Sequence, residues 1–109
     1  MAEPFYTNYR TFCNQVNGVL VPLTTTAEEG YAWAKRDLIE AAITPNTKAI
    51  CCISPGNPTG RVLTLDEMKL VGEIAKEHDL WIISDEVYRE FAYDDREVTS
   101  FDIDRKSVV

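Results

Sequence analysis

The sequence has few basic residues, no long apolar run and only one histidine. Its 109 residues carry 18 acidic and 11 basic side chains, which gives a formal net charge of −7. Proteins that bind nucleic acid need a basic face for the phosphates, so this balance argues against nucleic acid as a partner. No apolar segment reaches the length of a membrane span, so we also expect no membrane partner. Residues 1–4 lack the basic and apolar regions of a signal peptide.

The motifs of several common ligand sites are also missing. Neither G-x-G-x-x-G nor G-x-x-x-x-G-K-[ST], the two commonest phosphate-binding loops, occurs in the sequence. His78 is the only histidine and has no second ligand at a useful spacing, whereas zinc sites need three or four ligands. Asp94-Asp95 lacks the alternating ligands and the glycine of a calcium loop. We therefore predict a structural role for His78, a turn at Asp94-Asp95 and no bound metal ion.

Cysteine is scarce and follows no pattern. Cys51 and Cys52 are neighbours in an apolar run, so their side chains should point to opposite faces of a strand, and Cys13 is distant in sequence. An odd set of three cysteines is typical of free thiols in a reducing compartment, and we therefore predict a cytoplasmic protein. We interpret all three as small core residues.

The stretch from residue 49 to residue 88 predicts two parallel strands joined by a helix. The apolar runs Ala49–Ile53 and Leu80–Ile83 have the length of strands. Thr64 and Glu67 have the spacing of a capping box at the start of the helix. An apolar stripe on this helix can pack against the sheet and consists of Met68, Val71, Ile74 and Ala75.

The remaining segments predict an α/β fold. Apolar spacing indicates helices at Phe5–Asn17 and Tyr31–Ile43, and the composition of Val19–Val21 favours a short strand. Lys106–Val109 resembles the start of a further strand. The order β-α-β-α-β predicts three layers, a mainly parallel sheet with helices on its faces. Parallel sheets are normally covered on both faces, and the few predicted helices can cover this one only partly. We therefore interpret residues 1–109 as a single partial domain.

Polar residues follow both central strands. Asn57 lies in the turn after the first strand, and Asp85 follows the second. The carboxyl ends of parallel strands share one edge of a sheet, where ligands bind in α/β proteins, so we expect these two side chains to lie close together. Each also has a simpler explanation, because Asn-Pro-Thr-Gly favours a tight turn and aspartate is a good helix N-cap. Tyr88 would lie on the same side of a helical turn as Asp85, unless its ring only packs.

The sequence resembles the class I/II aminotransferases, which are fold-type I pyridoxal-phosphate enzymes. The resemblance rests on S-P-G-N-P-T-G at residues 54–60, S-D-E-V-Y at residues 84–88 and E-P-F-Y-T-N-Y at residues 3–9. It extends from about Glu3 to Phe101, and the bacterial aspartate-aminotransferase-like members are the most similar. It implies an enzyme that uses pyridoxal 5'-phosphate to move an amino group between an amino acid and a 2-oxo acid, with a homodimeric parent protein.

The resemblance implies that four residues bind the cofactor. Asp85 would pair with the protonated pyridine nitrogen, and Asn57 and Tyr88 would hydrogen-bond the phenolic oxygen of the ring. Tyr6 would stack on the ring face. The Asn57–Pro58 peptide bond, commonly cis in the family, is expected to be cis here as well.

The resemblance also implies that part of the active site lies elsewhere. The family's Schiff-base lysine follows the D-E-V-Y segment in a stretch of serine and small residues, and none of the lysines has that context; these are Lys35, Lys48, Lys69, Lys76 and Lys106. The phosphate-binding segment and the C-terminal arginine that binds the substrate carboxylate are missing too. We therefore interpret the chain as the middle of the cofactor-binding large domain and expect it to be inactive by itself.

Other classes of protein stay open. A carbon–sulfur β-lyase or a cyclopropane-forming synthase of the same fold would share the ring-holding residues, and only the substrate-facing segments would distinguish it. An aminotransferase-like sensor domain of a transcription regulator would not be an enzyme, and a winged-helix segment upstream of Met1 would favour it. An unrelated α/β domain is the remaining alternative.

Overall fold

The computed structural model describes residues 1–91 and 100–101. The elements in chain order are β1 (Ala2–Glu3), α1 (Asn8–Gln15), β2 (Leu23–Thr24), α2 (Arg36–Ala42), β3 (Ala49–Ile53), α3 (Leu65–Glu77), β4 (Trp81–Asp85) and a 3-10 helix (Arg89–Phe91). The turn predicted at Asp94-Asp95 and the strand predicted at Lys106–Val109 lie outside the described residues. No helix within the described ranges is long and apolar enough to cross a membrane.

Strands β3 and β4 form the predicted parallel pair, with α3 between them in sequence. Ile50 lies opposite Ile82, and Ile53 lies opposite Asp85. Because side chains alternate across a strand, Ile50, Cys52 and Ile82 share one face, and all three are buried. The prediction of a βαβ unit is confirmed, although β4 begins at Trp81 and continues to Asp85.

Helix α3 begins at the predicted capping box. Thr64 Oγ1 accepts a hydrogen bond from Glu67 N at 3.2 Å, and Glu67 Oε2 accepts one from Thr64 N at 2.8 Å. This exchange satisfies backbone N–H groups that have no partner within the helix. The predicted apolar stripe is buried, and Val71 and Ile74 are 0% exposed. The chain leaves the helix through Asp79, which has a positive φ of 54°.

The elements before β3 differ from the prediction. Both predicted helices are shorter in the structure, and the strand predicted at Val19–Val21 is wrong. The strand lies instead at Leu23–Thr24, because pairing with β1 sets its position, and Leu23 N donates to Met1 O at 2.8 Å. The described strands therefore form two parallel two-stranded sheets rather than one sheet of three. The α/β class, with parallel strands and helices, is confirmed.

The core lies between the β3–β4 sheet and helices α2 and α3. Its most deeply buried side chains are Cys52, Leu63, Val71 and Ile74. Cys52 is 1% exposed, whereas Cys13 and Cys51 are only half-buried, so the prediction of three core cysteines holds for Cys52 alone. All three are free thiols, as predicted.

Candidate functional site

The carboxyl ends of β3 and β4 bring Asn57 and Tyr88 together. Asn57 Nδ2 donates a hydrogen bond to the Tyr88 hydroxyl oxygen at 3.3 Å. The Tyr88 ring packs edge-on against Phe91, with 6.4 Å between the ring centroids. Since the Tyr88 oxygen accepts from Asn57, its own O–H stays available as a donor. The amide and the hydroxyl can therefore both donate to one anionic oxygen of a ligand.

Backbone hydrogen bonds close the turn that carries Asn57, which we call the 54–60 turn. Gly56 N donates to Arg61 O, and Gly60 N donates to Gly56 O, both at 2.8 Å. The Asn57–Pro58 bond is cis, as the resemblance implied, and Ser54–Pro55 is also cis. Gly60 has a φ of +69°, and a Cβ at Gly56 would lie only 2.9 Å from Thr59 Oγ1. Glycine is therefore favoured at both positions.

Ser54 connects this turn to its surroundings. Its side chain is buried, and its Oγ accepts a hydrogen bond from Leu63 N at 2.9 Å. Its backbone N–H donates to Asp85 O at 3.0 Å, which extends the pairing of the two strands. The sequence reasoning gave Ser54 no role. The one sequence feature that could have indicated a role for Ser54 is its position as a hydroxyl residue directly after the apolar run 49–53.

The Asp85 carboxylate lies at the end of β4 and has two hydrogen-bond donors. Val87 N donates to Oδ1 at 3.1 Å, which is the contact of an Asx turn. The helix N-cap expected from the sequence is not formed, because the next helical residues begin only at Arg89. The Tyr9 hydroxyl donates to Oδ2, and this second contact is not part of the turn. Each carboxylate oxygen can accept more than one hydrogen bond, so Asp85 is oriented and can still accept from a cationic N–H group.

Tyr9 is a site residue that the sequence reasoning missed, because its spacing on α1 indicated only a packing role. Its ring does pack edge-on against Phe12, with 5.9 Å between the centroids. Burial, together with the hydrogen bond to Asp85, raises the pKa of Tyr9, so its hydroxyl remains protonated at neutral pH. Tyr9 therefore keeps its proton to donate to the carboxylate.

Tyr6 lies two residues before the first residue of α1, and three residues before Tyr9. Its hydroxyl accepts a hydrogen bond from Asn8 Nδ2 at 2.9 Å, and its carbonyl accepts one from Tyr9 N at 3.1 Å. The ring is 46% exposed. These contacts connect Tyr6 to Asp85 through Tyr9, and stacking of Tyr6 on a cofactor ring stays a prediction.

Glu86 anchors the residues that follow β4. Its Oε1 accepts hydrogen bonds from Ser84 Oγ at 2.9 Å and from Ser100 Oγ at 2.8 Å. Phe101 N donates to the same oxygen at 3.3 Å. Phe101 is buried, so Glu86 fixes a later segment of the chain against the end of the sheet.

A small depression lies beside the 54–60 turn. Its lining includes Glu3, Thr25, Tyr31, Cys51 and Asn57. Burial raises the pKa of the Cys51 thiol to about 11, and the negative charge of Asp85 adds to this effect. Thiols react as thiolates, so Cys51 is a poor nucleophile at neutral pH.

His78 follows Glu77 in the sequence and lies near a second carboxylate, that of Glu40, which its sequence context did not reveal. His78 Nε2 is 3.6 Å from Glu40 Oε1, and Glu77 completes a group whose possible ligand atoms lie within 4.8 Å of one another. Both carboxylates pair with Arg36 Nη1, at 2.9 Å for Glu40 and 2.7 Å for Glu77. The group therefore reads as an ion-pair network that joins α2 to α3.

The family model of class I and II aminotransferases matches residues 1–108. The chain belongs to this family. This aminotransferase segment is 36% identical over 100 residues to the aspartate aminotransferase of Streptomyces avermitilis, covering 92% of the chain and 24% of the relative. It is 35% identical over 99 residues to the arginine–pyruvate transaminase of Pseudomonas aeruginosa, covering 91% of the chain and 25% of the relative.

Solved structures show the same relationship. The segment superposes on the aromatic aminotransferase of Pyrococcus horikoshii OT3 with a TM-score of 0.87 and 33% identity, covering 96% of this chain and 28% of that one. The aminotransferase segment thus spans about a quarter of the length of the curated relatives it matches. The family resemblance inferred from residues 54–60 and 84–88 is confirmed.

Proposed function

We propose that the whole protein carrying these residues is a pyridoxal-phosphate-dependent aminotransferase that moves an amino group between an amino acid and a 2-oxo acid. The observation that carries the proposal is the hydrogen bond between Asn57 Nδ2 and the Tyr88 hydroxyl, made at the strand ends where Asp85 also lies, in a chain of this family. The relatives are named for aspartate, arginine–pyruvate and aromatic substrates, so the amino-acid substrate stays open.

The described residues fit the polar groups of a pyridoxal ring. The Asp85 carboxylate, oriented by Tyr9 and Val87, would accept a hydrogen bond from the pyridine N–H and favour its protonated form. The Asn57 amide and the Tyr88 hydroxyl would donate to the phenolic oxygen. Tyr6 would cover one face of the ring. The bound cofactor would supply an electron sink for the charge that develops at the substrate α-carbon.

The proposed active site also needs groups that residues 1–109 do not provide. The Schiff-base lysine, the phosphate-binding segment and the arginine for the substrate carboxylate would come from the rest of the whole protein. Residues 1–109 would be the middle of its large domain. A homodimeric parent and a cytoplasmic location are also part of the proposal, supported by the family resemblance and by the free thiols.

The test is aminotransfer by the complete gene product reconstituted with pyridoxal phosphate. A panel of amino acids would be assayed with pyruvate and 2-oxoglutarate as acceptors. We expect Asp85→Ala to lower kcat by about 100-fold or more, because the charge opposite the ring nitrogen is lost. Asp37→Asn, a change at an exposed carboxylate on α2, serves as the control and should leave kcat unchanged.

The alternatives give different products in the same assay. Release of ammonia and pyruvate from a cysteine thioether, without aminotransfer, would favour the carbon–sulfur β-lyase. Cofactor binding without turnover of any amino acid would favour the sensor domain. Either result would overturn the aminotransferase proposal.

A further inference from the structure

Arg61 directly follows the N-P-T-G motif and joins three segments of the chain. Its backbone closes the 54–60 turn, since Arg61 O accepts from Gly56 N at 2.8 Å and Arg61 N donates to Thr59 Oγ1 at 3.2 Å. Its guanidinium reaches outward from the turn. Nη1 donates to Gly30 O at 3.1 Å, and Nη2 donates to Glu67 Oε1. The turn is thereby tied both to the loop between β2 and α2, at Gly30, and to the first turn of α3.

The contacts of the Arg61 guanidinium with Gly30 and Glu67, which we call the guanidinium clamp, are more protected from solvent than the ion pairs of Arg36. The side chains of Arg61 and Glu67 are 23% and 19% exposed, whereas Arg36 is 39% exposed and its carboxylate partners between 37% and 65%. Charge-assisted hydrogen bonds are stronger when they are shielded from water. The planar fork of arginine can reach two acceptors in fixed directions, which the single ammonium of lysine does less well.

Helix α3 and the core have stabilising contacts of their own besides the clamp. The helix has its own N-cap at Thr64, and its buried stripe packs on the sheet. Arg61 Nε is buried without a hydrogen-bond partner among the described residues, which is an unfavourable arrangement for a purely structural arginine. The segment whose position depends most directly on the guanidinium is the 54–60 turn. Within that turn, Asn57 carries the polar group of the site.

We propose that Arg61 is the positioning residue for Asn57. By fixing the 54–60 turn against the Gly30 loop and α3, Arg61 keeps the Asn57 amide within reach of the Tyr88 hydroxyl. At 3.3 Å this hydrogen bond is long, and a small displacement of the turn breaks it. The effect of Arg61 on hydrogen bonds to the phenolic oxygen of the cofactor rests on the proposed function. Its effect on the distance between Asn57 and Tyr88 does not.

The first test uses crystal structures of the complete gene product without cofactor. Arg61→Lys keeps the charge but can reach only one of the two acceptors, and Arg61→Gln removes the charge. We expect the distance from Asn57 Nδ2 to the Tyr88 hydroxyl to exceed hydrogen-bond length in both. Arg36→Lys and Arg36→Gln are the matched controls, because they disrupt the ion pairs between α2 and α3 and leave the turn alone. An unchanged distance in the Arg61 variants would overturn the inference.

A second variant keeps the test usable if Arg61→Gln does not fold. Glu67→Gln preserves a capping residue at the start of α3 but removes the charge that holds Arg61. We expect the same separation of Asn57 from Tyr88 in this variant. A turn that stays in place after both Arg61→Lys and Glu67→Gln would refute the positioning role.

The second measurement is the pH dependence of the absorption of bound pyridoxal phosphate. Donors to the phenolic oxygen stabilise its negative charge, so their loss should raise the pH midpoint of the spectral change by about one unit. We expect this shift, with kcat lowered about 10-fold or more, in the Arg61 variants and not in the Arg36 controls. If Asn57 separates from Tyr88 but the wild-type protein neither binds the cofactor nor transfers amino groups, the positioning role stands and the proposed function fails.

Discussion

At the scale of single residues, local sequence located the strand ends but not the contacts that orient the side chains there. Asn57 and Asp85 could be assigned to one edge because each follows a recognisable strand and parallel strands end together. Tyr9 and Arg61 could not be found in this way. Tyr9 contacts Asp85 and Arg61 contacts Gly30, and both partners are distant in the sequence. No periodic pattern in the sequence marks such contacts.

Cys51 gives a pH-dependent prediction at this scale. Its pKa is raised from an ordinary value of 9.0 to about 11, so the thiolate fraction at pH 8 should be about 100-fold lower in the folded chain than in the unfolded chain. Iodoacetamide labelling, followed by mass spectrometry of the Cys51 peptide, measures this difference. The rate in the folded chain should still rise above about pH 10, where the same peptide in urea has levelled off. Equal rates at pH 8 in both states would contradict the burial of this thiol.

At the scale of secondary-structure elements, those held by contacts between residues close in sequence could be predicted, and those that depend on a distant partner strand could not. Helix α3 was predicted with its cap and its buried stripe because both depend on residues three or four positions apart. The strand predicted at Val19–Val21 was wrong because a two-residue strand exists only through its partner, and β1 pairs with Leu23–Thr24. Apolar composition alone cannot supply that register.

The buried stripe of α3 gives the stability prediction. Ile74 is 0% exposed, so Ile74→Ala should lower the free energy of unfolding by about 2–5 kcal/mol through lost burial and the remaining cavity. Lys69→Ala, at an exposed position on the same helix, should change it by less than about 0.5 kcal/mol. Urea unfolding followed by circular dichroism measures both. If Ile74→Ala does not fold, Ile74→Val should show a loss of about 0.5–1.5 kcal/mol.

At the scale of the whole molecule, one face of the β3–β4 sheet carries apolar side chains that the described residues leave open. Trp81 is 60% exposed and Ile83 is 45% exposed, while Ile82 between them is buried. Parallel sheets are normally covered on both faces. This agrees with a chain that spans about a quarter of its relatives, in which further segments of a longer protein would provide the cover.

The prediction at this scale concerns the 109 residues by themselves. Incubated with pyridoxal phosphate and reduced with borohydride, the chain should show no tight adduct at a single lysine, because none of its lysines has the expected context. Mass spectrometry of the digested product tests this. A stoichiometric adduct at one lysine, or aminotransfer by the chain plus cofactor, would disprove the interpretation as part of a larger active site.

The two oxygens of Glu67 have different partners, and this division couples two events that would otherwise be independent. Oε2 holds the first turn of α3, and Oε1 holds Arg61 and with it the 54–60 turn. We therefore expect fraying of the helix start and release of the 54–60 turn to be coupled, because each breaks a hydrogen bond to Glu67. Amide hydrogen exchange should then give the same protection factor for Thr64 N–H and Gly56 N–H. Exchange at the start of α3 would thus indicate whether the 54–60 turn is held in place.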